Sequence, residues 1–141
     1  ILVQGGSTVT GGGQGYITAV VQGNTVSQPS ANSTAGGVPT NGIRIGAGTT
    51  TGDNTKFCIT LGGTTAAEKN TVTGTGNTSV GSPDIRVQQR FLTILGMPGY
   101  AGANNSNSAM VTYLAGRNNA TTITAANNTG AGGPGFSGTC P

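Results

Sequence analysis

The sequence predicts an all-β domain in which short strands wind into successive coils and stack in parallel, with one short helix near the C-terminus. Three observations lead there: the composition, a period-two alternation of apolar residues, and a repeated order of segments about 41 residues apart. Gly, Thr, Asn and Ser fill 73 of 141 positions, and only 33% of residues are hydrophobic, with no Trp. Gly, Asn and Ser oppose long helices and Thr and Val favour strands, so short strands and turns are expected. A thick two-layer core is beyond such a chain, but a narrow one lined by β-branched residues is not. Charged residues make up only 6%, too few for a solvated charged coil, and the apolar residues cluster, which argues against disorder.

One domain spans residues 1–141. Residues 1–13 are expected as an extended N-terminal segment, 14–100 as coils, and 101–141 as a helix and a tail. In "YITAVV", Ile17, Ala19 and Val21 point one way, and in "KFCITL", 40 positions on, Phe57, Ile59 and Leu61 repeat the pattern. A polar turn follows each triplet, Gln22 to Thr25 in one case and Gly62 to Thr65 in the other. Then come an insert and an Ile-Arg-aliphatic strand, "GIRIG" from Gly42 and "DIRVQ" from Asp84, with Ile43 and Ile85 42 positions apart. Two landmarks with nearly one period read as coils stacked in parallel. An antiparallel β-sandwich is the alternative, since it also alternates strands with Gly-rich turns, but it gives no reason for a repeat near 41. In "NSAMVTYLAGRNN", Met110, Tyr113, Leu114 and Arg117 lie at helical spacing after a cap at Ser106, Asn107 or Ser108. That helix either covers the open end of the coils or packs on their side.

The pattern "VVQGNTVSQ … NGIRIGAGTTTGDNTKFCITLGG … DIRVQQRF … GFSGTCP" resembles the closing segment of large repetitive bacterial surface or secreted proteins with right-handed parallel β-helices. "VQGNTV" carries Gly23 where that group has Asn. The resemblance implies a right-handed β-helix, an adhesive or structural role without cofactor, and an extracellular or cell-surface location. Its partners would be other subunits, in a homo-oligomer or filament, or surface glycans.

The residues agree in what they exclude. With no His, catalytic triads and most zinc sites lack their commonest member. Asp53, Glu68 and Asp84 are the only acidic residues. A polysaccharide-cleaving β-helix would need facing carboxylates, but Asp53 and Asp84 lie in turn-like contexts and read as turn residues. The net charge of +3 comes from dispersed basic residues, and aromatics make up only 4%, so nucleic-acid binding is not expected. No stretch approaches the roughly 18 apolar residues of a membrane span. The first residue is Ile1, which fits removal of a signal peptide or excision from a longer protein.

Four sets of residues stand out as candidates. Cys58 and Cys140 lack metal-site neighbours and read as a disulfide tying the tail to a strand, the alternative being two separate buried thiols. Arg44 and Arg86 hold equivalent outward places, and Arg90 extends them. Stacked guanidiniums either splay into solvent or take an anionic sugar, lipopolysaccharide or a neighbouring subunit. Ile1, Leu2 and Val3 are a candidate assembly strand through which a pilin-like fibre could polymerise. Thr71, Thr73 and Thr75 suggest an ice-binding array, but no equivalents precede them by one period, so they read as strand filler. The sequons at Asn32, Asn77, Asn104, Asn119 and Asn127 mark exposed loops.

Overall fold

The computed structural model describes residues 1–6, 15–27, 41–73 and 83–141. Thr75, Asn32 and Asn77 lie outside the described residues, as does most of the expected N-terminal segment. The described residues form eleven strands and one α-helix: β1 (Leu2–Gly5), β2 (Tyr16–Val21), β3 (Thr25–Ser27), β4 (Ile43–Ala47), β5 (Lys56–Leu61), β6 (Asn70–Thr73), β7 (Ile85–Gln89), β8 (Ile94–Gly96), α1 (Asn107–Arg117), β9 (Asn118–Asn119), β10 (Ile123–Ala126) and β11 (Phe136–Ser137).

The strands form three sheets, ordered β1-β4-β7-β10, β2-β5-β8-β11 and β3-β6-β9. The chain visits the sheets in rotation, so each strand pairs with the one a full circuit later. Every described ladder is parallel, and no sheet closes into a barrel. An antiparallel sandwich is therefore not the arrangement. Both repeat landmarks fall in register: Ile43 pairs with Ile85 and Arg44 with Arg86, while Ile17 pairs with Phe57 and Val21 with Leu61.

Alternation sends one row of each strand into a shared interior. Ile43, Ile45, Phe57, Ile59, Leu61, Ile85, Val87 and Leu95 are all fully buried there. Residues 2–5, expected within an extended N-terminal segment, form an edge strand of the first sheet, where Val3 pairs with Ile45 and packs partly buried against the core. The turn after β5 needs a glycine: Gly62 has φ +69°, and a side chain there would meet the Arg117 carbonyl and Asn118.

Helix α1 starts at Ser106, whose hydroxyl accepts from Ala109 N at 3.1 Å. It buries Met110 and Leu114 and packs against β10 and β9, the last strands of the first and third sheets. Helix α1 thus lies against the last strands of those two sheets. Beyond it, β11 pairs with β8, and Cys140 is bonded to Cys58 of β5 with a Cα–Cα distance of 4.9 Å. The tail crosses Gly96, the register partner of Cys58, where a Cβ would lie 3.1 Å from the Cys140 Cα. The same Cβ would lie 2.5 Å from the Thr139 carbonyl oxygen, so a larger residue at Gly96 would force the tail to shift.

A candidate anion site on the first sheet

The outer face of the first sheet carries two rows set by strand register. Leu2, Arg44, Arg86 and Thr124 form one; Gln4, Gly46, Gln88 and Ala126 form the next. Arg44 and Arg86 are Cα partners on adjacent parallel strands, and such strands lie about 4.8 Å apart. At that separation two unit charges repel by about 0.9 kcal/mol in bulk water and by about 3.5 kcal/mol at an effective dielectric constant near 20. Both side chains are partly buried, so guanidiniums held near the strand spacing would be screened less than in bulk water. Arg90, just past β7, donates through Nη2 to Gln88 Oε1 at 2.8 Å. Burial lowers the Arg86 pKa, and the charges of Arg44 and Arg90 lower it further. Arg44 Nε is enclosed without a hydrogen-bond partner.

All three carboxylates of the chain are engaged elsewhere. Asp53 is fully buried, with Oδ1 accepting from Thr55 N at 3.0 Å and Thr55 Oγ1 at 2.7 Å and Oδ2 from Thr49 N at 3.0 Å. Asp84 Oδ2 accepts from Thr121 N at 2.7 Å and Thr122 N at 2.9 Å, fastening the turn before β10. Glu68 Oε2 accepts from Thr65 N at 3.1 Å, and bonding from Thr65 lowers its pKa. Among the described residues no carboxylate hydrogen-bonds to Arg44, Arg86 or Arg90. The arrangement gathers positive charge and guanidinium N–H groups on one face, the chemistry that recognises an oxyanion.

The candidates from the sequence divide accordingly. Arg44, Arg86 and Arg90 come together, and Cys58 and Cys140 are joined. Ile1, Leu2 and Val3 lie one coil away: the Ile1 ammonium donates to Gly42 O at 2.6 Å, Leu2 is 63% exposed and Val3 faces inward. Asp53 and Asp84 act as acceptors for turn backbone. No group of three or more His, Cys, Asp or Glu able to hold a metal occurs among the described residues, nor does any helix there have the length and apolarity to cross a membrane.

Sequence reasoning missed a ladder of asparagines along the third sheet. Asn24 Nδ2 donates to Asn70 Oδ1 at 2.9 Å, and Asn70 Nδ2 donates to Asn118 Oδ1 at 2.8 Å. Its signal was present in "GNTV", "KNTV" and "RNNA", where an Asn opens each strand. No family model matches this chain, and neither does any curated protein or solved structure.

Proposed function

We propose that the chain is a right-handed parallel β-helix acting as a non-enzymatic structural and adhesive element of an extracellular or cell-surface protein, with Arg44, Arg86 and Arg90 contacting anionic groups on a surface glycan. The observation that carries this reading is the in-register guanidinium pair that no carboxylate of the chain neutralises. A partner carboxylate, sulfate or phosphate would relieve the repulsion and occupy the donors at once. Right-handedness follows from the strong preference of parallel crossover connections for that hand. The Cys58–Cys140 disulfide is compatible with an oxidising location outside the cytoplasm.

Surface plasmon resonance on immobilised sulfated, uronate-bearing and neutral glycans tests the reading. Binding to the charged glycans, absence of binding to the neutral ones, and at least a tenfold loss in an Arg44→Gln/Arg86→Gln variant with an unchanged circular dichroism spectrum are expected. Equal binding by that variant, or retention on none of the glycans, would overturn it.

A further inference from the structure

Among the described residues the first coil is open on one side. β1, β2 and β3 are the edge strands of their sheets, paired only towards β4, β5 and β6. Val3, Ile17 and Val26 are only partly buried, whereas their register partners Ile45 and Phe57 are fully buried and Val72 is 3% exposed. Apolar edges alone do not say what covers them, but the asparagine ladder does.

The ladder has a direction. Asn24 Nδ2 spends its two hydrogens on Asn70 Oδ1 at 2.9 Å and Gln22 O at 3.0 Å. Asn70 Nδ2 does the same with Asn118 Oδ1 and Val21 O, both at 2.8 Å. Asn118 Nδ2 ends the series on Leu114 O of α1 at 3.0 Å. The side-chain links therefore run one way, each Oδ1 accepting from the asparagine on its N-terminal side, while the Asn70 and Asn118 amides also donate back to the Val21 and Leu61 carbonyls, the latter at 3.4 Å. Within the described residues Asn24 Oδ1, the first acceptor, has no donor, and rotating the amide to supply one would break both bonds from Nδ2.

This polarity selects the occupant. A second copy stacked head to tail would have to displace α1 and the Leu114 carbonyl. Two copies joined by their N-terminal ends would set Asn24 Oδ1 against Asn24 Oδ1, acceptor against acceptor. A further coil running in the same direction, with a side-chain amide opening its third strand, meets the acceptor with a donor and the open edges with parallel strands. Ile1 N already occupies a ladder position against Gly42 O, and a peptide N–H there would make the same bond. We propose that the N-terminal face of the three sheets is a stacking surface for one more coil of this kind, contributed by polypeptide joined to Ile1, whose amide donates to Asn24 Oδ1.

The test extends the full chain at Ile1 with a second copy of residues 41–82, so that the copied Asn70 falls beside Asn24. A Gly/Ser-rich extension of equal length is the reference, and hydrogen exchange of the β1, β2 and β3 amides is the readout. Exchange at least tenfold slower than in the reference is expected, and an Asn70→Ala change confined to the added copy should remove much of that gain. A Thr71→Ala change there, on the outward face, should leave it. Unchanged exchange, a gain indifferent to the copied Asn70, or sedimentation of the unextended chain as a dimer with those amides protected would each overturn the proposal. None of these outcomes depends on the glycan reading.

Discussion

Breaking the Cys58–Cys140 bridge, by Cys140→Ser or by reduction, removes a tie between residues 82 positions apart. For a closed loop of about 83 residues the chain-entropy expression gives about 15 cal/mol/K, or about 4.5 kcal/mol at 25 °C. What else fastens the tail is modest: Phe136, 2% exposed, and backbone bonds from Met97 N to Ser137 O at 2.8 Å and from Gly99 N to Gly138 O at 3.2 Å. Those contacts do not restrict the unfolded chain, so they cannot replace the bridge. At about 3–4 °C per kcal/mol for a domain of this length, the melting temperature should fall by about 15 °C. Thermal unfolding followed by circular dichroism, with and without reductant, reads the effect, and mass spectrometry under non-reducing conditions confirms the bridge. A loss below about 1 kcal/mol would refute the reasoning, because packing of the tail would then be doing the holding.

Two further predictions rest on buried groups. Asn70→Ala removes the acceptor of Asn24 N and Nδ2 and the donor to Val21 O and Asn118 Oδ1 at a fully buried position; chemical denaturation should show a loss of about 3 kcal/mol, against under about 0.5 kcal/mol for the outward Thr71→Ala. Burial raises the pKa of Tyr100 and of Tyr113 above 10.0, the Arg117 charge partly opposing the shift at Tyr113. The unfolded chain therefore ionises first, and the stability these neutral phenols contribute is whole below pH 10 and is lost as pH rises through their folded values. Denaturation midpoints followed upwards from pH 9 should fall beyond pH 10, and less steeply in Tyr113→Phe.

What the sequence disclosed was whatever repeats at one interval. Ile43 with Ile85 and Ile17 with Phe57 were legible because the inward row of a strand must be apolar and the first two sheets recur at 42 and 40 residues. The third sheet was hidden. Asn70 lies 46 residues after Asn24 and 48 before Asn118, since the excursion between strands lengthens as α1 enters, and 13 asparagines mask any three of them. β9 and β11 have two residues each, too few for alternation to register. The helix itself was legible from Met110 and Leu114, but not its place against the last strands, which depends on β9 and β10. The arginine cluster was largely legible: equivalence in the repeat predicted the Arg44–Arg86 stack and local context placed Asp53 and Asp84 in turns, whereas the burial of those carboxylates against turn N–H groups is a tertiary fact.

The same stacking acts in opposite ways on the two polar ladders. An asparagine amide both donates and accepts, so in-register asparagines satisfy one another, and burial strengthens the chain of bonds. A guanidinium only donates, so in-register arginines satisfy nothing in each other and repel the more strongly as they are shielded from water. Asn70 accordingly lies fully buried with four hydrogen bonds, while Arg44 and Arg86 sit on the outer face with Arg44 Nε unpartnered. Stacking closes the amide ladder within the protein everywhere but at Asn24, and leaves the guanidinium ladder short of acceptors along its length. One ladder is thus left with an acceptor to fill at its first member and the other with donors to fill along its length, which is why the two proposals call for partners of opposite hydrogen-bonding character.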